Sequence, residues 1–221
     1  MKISITSILV ALISLPTNSI ALASPSPTKT QLKYFDLRGA AETCRILLAL
    51  GGEDYNDVRY SFDPTTFKSA DFENAKSSGD LKLNLNRAPL LVTSNGIAIG
   101  QSKAIERYLS KKFGLMGESL EEEAMIDCVA EHCRDVKDAA RFKGFSKFSK
   151  GTEEEKSTKR KEWFTQDLPT MLKKVEDAVQ LTSKEKGFAV GNSLTYADVA
   201  IWSLLQDCME GDLEETKEAY G

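Results

Sequence analysis

The sequence predicts an α/β half followed by an all-helical half, and three observations carry that prediction. Residues 31–114 alternate strand and helix signals and contain one hairpin turn. After Gly117 the apolar residues recur only at helical spacing. The chain has 221 residues, 41% of them hydrophobic and 28% charged, which suits a packed core in one large or two small domains.

The first residues are of a different kind. Met1-Lys2 is a short basic start, Ile3 to Leu15 is mostly apolar, and Ala21-Leu22-Ala23 puts small residues where a signal peptidase reads. A secretory signal peptide over 1–23 is expected, with a Pro/Ser/Thr-rich linker over 24–30. A membrane anchor is disfavoured, because Pro16 to Ser19 break the apolar run short of the ~20 residues a span needs. A secreted or organelle-directed protein follows, or a cytoplasmic one if the segment is not used.

Leu32 to Asp36 is an apolar-aromatic run and reads as a strand. Ala40 to Leu50 reads as a helix with Ile46, Leu47 and Leu50 on its buried side, stopped by Gly51-Gly52. Tyr55 to Phe62 alternates as a strand does. Residues 63–86 are polar and irregular, with a short helix around Ala70 to Lys76. Pro89 to Thr93 is a strand, Ser94-Asn95-Gly96 a hairpin turn, and Ile97 to Ile99 the return strand. Ser102 to Phe113 is a helix with Ile105, Tyr108, Leu109 and Phe113 as its apolar stripe, ended by Gly114.

In the second half, 118–221, Ser119 with Glu122 is a capping box. Ile126, Val129, Cys133, Val136 and Ala140 then form the narrow seam of a bundle helix. Thr152 with Glu155 opens a long helix that Pro169 should kink or divide. Thr195 with Asp198 starts a helix that is apolar nearly all round, so it should lie at the centre of the bundle.

Composition excludes several functions. A net charge of −4 without a large basic block argues against nucleic acid as the main partner. His132 is the only histidine, which removes a His-rich metal site and any Ser-His-Asp triad that does not use it. The four cysteines (Cys44, Cys128, Cys133 and Cys208) contain no C-x-x-C. Cys128 and Cys133 are five apart on one predicted helix and point to different faces.

Three constellations could carry chemistry. The first puts Tyr34 at the end of a strand, just before a helix, where α/β folds bind ligands and a phenol can donate to an anion. Its plain alternative is a core tyrosine with a satisfied hydroxyl. The second is Arg87-Ala88-Pro89 opening a strand; a cis Ala88-Pro89 bond would turn the Ala88 backbone toward an extended peptide, although frequency favours trans. The third is Gly100-Gln101-Ser102 entering a helix, where free N–H groups and the helix dipole attract anions; simple capping by Ser102 is the alternative.

Together, in this order, the motifs resemble the glutathione S-transferase family, in its sigma-like, tyrosine-type soluble class. The matching residues are Tyr-Phe-x-x-Arg-Gly-x-x-Glu at Tyr34–Glu42, x-Pro-x-Leu at Ala88–Leu91, Gln-Ser-x-Ala-Ile-x-Arg-Tyr-Leu at Gln101–Leu109, and Gly-Asn-Ser-x-Thr-x-Ala-Asp at Gly191–Asp198. The resemblance spans about Leu32 to Leu205. It implies a thioredoxin-like glutathione-binding domain (βαβ-α-ββα) over 31–114 and a helical bundle after it. It further implies a transferase that uses glutathione as co-substrate, with no other cofactor and no metal.

By the same resemblance Tyr34 would donate its hydroxyl proton to the glutathione sulfur, with Arg38 supporting the thiolate. Ala88, beside Pro89, would hold the cysteinyl backbone. Gln101 and Ser102 would take the γ-glutamyl carboxylate. Phe72 and Lys76 repeat the aromatic-x-x-x-Lys spacing used for the glycyl end, and Asp135 matches a position that reaches the partner's glutathione in a homodimer.

The sequence also departs from the family pattern. The usual Arg-Gly-Arg is Arg38-Gly39-Ala40 here, which lowers the expected activity or shifts the load to Arg38. An Asp-Asp pair reads Arg134-Asp135, so no divalent metal is expected there. The chain stops at Gly221 where relatives continue, so the helical half is expected to be truncated or to lack one wall of the second-substrate pocket. A glutathione-dependent isomerase or peroxidase, or a binding protein without turnover, remains open. A thiol oxidoreductase would need a cysteine at the first helix N-terminus, whereas Cys44 lies inside that helix.

Overall fold

The structure is a computed structural model that describes residues 29–209, apart from 64, 67, 147–148 and 185–186. The expected signal peptide, most of the expected linker and the C-terminal 210–221 lie outside the described residues. Strand β1 (Thr30–Phe35) begins inside the stretch read as linker. Thr30 is buried there, and its hydroxyl donates to Glu53 Oε1 at 2.7 Å.

Strand β2 (Tyr55–Tyr60) runs parallel to β1, while β3 (Leu90–Val92) and β4 (Ala98–Gly100) add antiparallel partners in the order β2-β1-β3-β4. Parallel neighbours need a crossover, and helix α1 (Glu42–Leu50) supplies it. Helix α2 (Ala70–Ser78) joins β2 to β3, and α3 (Ser102–Lys112) follows β4. This is the βαβ-α-ββα order expected of a thioredoxin-like domain.

Alternation along β1 sends Leu32 and Tyr34 to one face and Phe35 to the other. The first face packs on Cys44, Leu47 and Leu48 of α1 and on Ile105 and Leu109 of α3. The second packs on Phe72 and Ala75 of α2, with Tyr60, Leu81 and Leu90.

The buried side of α1 differs from the expected one. Leu47 is buried as foreseen, but Leu50 is 50% exposed and Ile46 only partly buried, while Cys44, Arg45 and Leu48 face inward. Ala41, Cys44, Leu47 and Leu48 have i, i+3, i+6, i+7 spacing, and it is this face that packs on β1 and α3.

The second half contains α4 (Leu120–Lys143), α5 (Glu153–Glu162), α6 (Leu168–Thr182) and α7 (Tyr196–Met209). Ile126, Val129, Cys133 and Val136 of α4 are buried along the foreseen seam. The capping box at Thr152 and Glu155 is complete. At Ser119 only half of it forms: the Ser119 hydroxyl accepts from Glu122 N, but the Glu122 carboxylate accepts from Glu118 N and pairs with Lys184. A five-residue π turn, Trp163–Asp167, separates α5 from α6. Pro169 then sits at the second residue of α6, directly after the π turn, whose wider bonding accommodates the missing N–H.

Helix α7 is less enclosed than its composition suggests. Val199, Ala200 and Leu204 are buried, but Trp202 is 49% exposed. Ile201 and Leu205 line an open groove of about 500 Å³ shared with Leu172, Val175 and Val179 of α6. The inner side of α7 meets α4 and α1.

Polar contacts tie the two halves together. The Tyr196 hydroxyl donates to the buried Glu106 carboxylate, which also accepts from Lys103 Nζ at 2.7 Å. Thr43 Oγ1 and Ser203 Oγ lie 3.0 Å apart, and Lys137 Nζ donates to the same Ser203 at 3.1 Å. A buried carboxylate is tolerated only when it is paired and hydrogen-bonded, as Glu106 is. No described helix is long and apolar enough to cross a membrane.

Candidate functional site

Strand register gathers the three sequence constellations at one end of the sheet. Lys33 pairs with Leu90, and Leu90 pairs with Gly100. Tyr34, the Ala88-Pro89 turn and Gln101-Ser102 therefore follow one another across three adjacent strands. Ligands bind at such sheet ends, where loops and helix N-termini leave backbone groups free.

The Tyr34 hydroxyl accepts the Ala40 N–H at 3.1 Å. That contact uses an oxygen lone pair and leaves the phenolic proton available to an external acceptor. Tyr34 is partly buried and packs its ring against the main core. Gly39 holds φ +42°, and a Cβ there would stand 2.6 Å from both Tyr34 Oη and Leu37 Cδ1. Gly39→Ala is therefore expected to displace the hydroxyl and lower conjugation by about tenfold or more, since ångström-scale misplacement of a reacting group is costly. Steady-state rates set beside a melting curve separate that displacement from unfolding.

Arg38, foreseen as thiolate support, lies with Nε 3.8 Å from Glu42 Oε1. The loop's main organiser is Arg45, which sequence reasoning did not single out. Only 8% exposed, it donates to the carbonyls of Leu37 and Arg38 at 2.9 and 3.3 Å, and pairs with Glu42 at 3.1 Å and Asp57 at 3.0 Å. One guanidinium thus closes the loop between Tyr34 and α1 onto β2. An arginine beside Cys44, among apolar helix neighbours, was the available signal, because a charge at such a position must be partnered.

The Ala88-Pro89 bond is cis, against the frequency-based expectation of trans. Gln101 holds φ +67° and occupies the N-cap position of α3 without a side-chain cap. Ser102 is the first helical residue, so simple capping by its hydroxyl is not its role. Ser102 and Lys103 are half-buried and Ala104 is exposed, and a first helical turn carries donors and a dipole that suit an anion.

The remaining foreseen residues lie on helices α2 and α4. Phe72 sits on the opposite sheet face, with ring centroids 4.7 Å from Phe35 and 5.6 Å from Tyr60. Lys76 Nζ stands 5.0 Å from the Phe72 ring and pairs with Glu73. Asp135 is exposed on α4, 3.7 Å from Arg134, beside a groove that His132 and Lys174 also line.

Asn84, in a 3-10 turn over Lys82–Asn84, was not foreseen. It is buried and bonded to both the Pro89 and the Gln101 segments. Cys44 is fully buried, and burial, followed by the Glu106 carboxylate, pushes its thiol well above the ordinary range. A thiol in that state is a poor nucleophile, which counts against the oxidoreductase alternative.

Fold and site define a class: a thioredoxin-like domain that presents a tyrosine hydroxyl, not a cysteine, at its ligand-binding end, joined to a helical bundle. Residues 30–111 match the description "Glutathione S-transferase, N-terminal domain", and residues 140–220 match "Glutathione S-transferase, C-terminal domain". A relative named probable glutathione S-transferase 6, from Caenorhabditis elegans, is 32% identical over 191 residues, covering 85% of this chain and 84% of its own. Among solved structures, the Pi-class glutathione S-transferase of Onchocerca volvulus superposes with a TM-score of 0.70 at 25% identity, covering 87% of this chain and 83% of that one. The sigma-class enzyme of Fasciola hepatica gives 0.66 at 26% identity, covering 87% and 88%. The chain belongs to the glutathione S-transferase family.

Proposed function

We propose that this glutathione transferase makes its thiolate at Tyr34 and directs it onto apolar electrophiles. The observation that carries the proposal is the Ala40 N–H donating to the Tyr34 oxygen. Polarised in this way, the phenol is a stronger donor toward a sulfur anion. A thiol of pKa about 8.5 is only a few per cent ionised at pH 7, and lowering it by about two units needs about 2.7 kcal/mol of differential stabilisation. A preorganised hydroxyl beside the start of α1 can supply that in a partly dry cleft. The thiolate attacks an electrophilic carbon, a carbon–sulfur bond forms, and the leaving group departs with its electron pair.

In this reading the Ala88 backbone, beside Pro89, holds the cysteinyl unit of glutathione, and Gln101 and Ser102 take its γ-glutamyl carboxylate. Arg38 adds positive charge near the sulfur and bears more of that role because Ala40 replaces a second arginine. Lys76 serves the glycyl carboxylate only if α2 adjusts, since its amine now pairs with Glu73. Asp135, exposed on α4 beside Arg134, would reach a partner's glutathione in a homodimer. The basic-then-apolar start, Met1–Ala23, supports delivery into the secretory pathway or an organelle.

Chromatography of the mature chain on immobilised glutathione, followed by conjugation of a chlorinated aromatic, tests the proposal. Retention with turnover is expected. Retention without turnover would leave a binding protein, and no retention would remove glutathione from the account altogether.

A further inference from the structure

The geometry points to Asn84 as a positioning residue that locks the two peptide-holding backbone segments into one frame. The inference rests on the glutathione reading given above.

Asn84 is 3% exposed, and its amide spends three hydrogen bonds on the site. Nδ2 donates to Arg87 O at 3.0 Å and to Pro89 O at 2.8 Å. Oδ1 accepts the Gln101 N–H at 3.1 Å. The two carbonyls and the single N–H fix which end of the amide is which. One side chain therefore fastens the Ala88-Pro89 turn, which would hold the cysteinyl backbone, to the start of α3, which would hold the γ-glutamyl carboxylate. Their separation has to match the distance between those two groups on a single tripeptide.

Gly100 completes the lock. A Cβ there would lie 2.5 Å from Asn84 Oδ1 and 2.6 Å from Asn84 Cγ, so β4 can pass over the amide only without a side chain. Gln101 holds its φ of +67° directly after this contact, with its N–H taken by Asn84. A non-glycine residue keeps such a conformation only where surrounding contacts over-determine it. No substrate atom need touch Asn84, and its effect passes through the backbone groups that it places.

Binding of S-methylglutathione, which has no ionisable thiol, tests the role by calorimetry. Asn84→Ala is expected to raise Kd by about 10- to 100-fold, because loosened binding groups lose their alignment. Turnover at saturating glutathione should stay within about threefold, since the Tyr34 loop is untouched; a KM effect thus separates from kcat. Asn84→Asp keeps the acceptor for Gln101 but sets a carboxylate against two carbonyls. It should therefore raise Kd at least as much as Asn84→Ala does. Gly100→Ala should raise Kd by itself, because its methyl would strike Asn84 Oδ1, Cγ and Cβ at 2.5, 2.6 and 2.7 Å.

Circular dichroism and melting curves identify folded variants. If Asn84→Ala does not fold, the Kd values of Asn84→Asp and of Gly100→Ala alone decide. A folded Asn84→Ala variant with native Kd overturns the role of Asn84, and so does native Kd in folded Asn84→Asp or Gly100→Ala. A native chain that fails to bind S-methylglutathione overturns the glutathione reading itself, an outcome distinct from all of these.

Discussion

Tyr34→Phe is expected to lower the conjugation rate, measured as kcat/KM with a chlorinated aromatic, on the order of 10²-fold. The ring stays in its place in the core while the one proton aimed at the sulfur disappears. The Ala40 N–H loses its acceptor too, but it is solvent-exposed and water can take the bond. The larger consequence falls on glutathione. Without the donor, the bound thiol should titrate near its free pKa of about 8.5, leaving a few per cent as thiolate at neutral pH. The pH–rate profile should therefore move upward by about two units, and the variant should recover much of its deficit in alkaline buffer. Thiolate absorbance of the binary complex, followed against pH, reads the same shift without a second substrate. An unshifted profile together with native rates would remove Tyr34 from the chemistry.

Asp198→Ala should cost about 3 kcal/mol of stability. Asp198 Oδ1 accepts the Ala189 N–H at 2.7 Å, and Oδ2 accepts the Thr195 N–H at 2.8 Å and the Thr195 hydroxyl at 3.0 Å. Ala189 and Thr195 are both buried, so truncation strands two backbone donors away from water. Hydrogen bonds to a charged acceptor contribute about 1.5–3 kcal/mol each, and removing one partner charges the other's desolvation in full. For a chain of this size the melting temperature should fall by roughly 6–12 °C. Asp198→Asn, which retains one good acceptor, should fall between the two. Urea titration of all three proteins orders them. Equal midpoints would show that the loop before α7 satisfies those donors in another way.

The two cases differ in how visible they were beforehand. The Thr195–Asp198 pair announces itself locally, because capping works over three residues of one helix start. Tyr34 was legible as a residue type at a strand end, but its accessible proton was not, since that depends on Ala40 turning its N–H back to the oxygen. Periodicity gave the strands and helices in order, yet placed Leu50 inside and Leu48 outside the foreseen stripe. Which face a helix buries is decided by the elements packed on it, here β1 and α3. Phe72 and Lys76 share the right spacing, but the side of the sheet that α2 covers puts the Phe72 ring on the face away from Tyr34.

Sequence by itself determined what depends on near neighbours: which segments are strand or helix, where the second half's helices begin, and that a tyrosine stands where a redox protein would need a cysteine. Tertiary structure alone decided what depends on register and packing. Arg45 reaches Asp57 across 12 residues and Asn84 reaches Gln101 across 17, distances that close only when β1 pairs with β2 and β3 with β4. Hydrogen bonds weaken sharply outside a narrow range of length and angle. Partners so far apart in the chain can therefore be identified only after the sheet has brought them together.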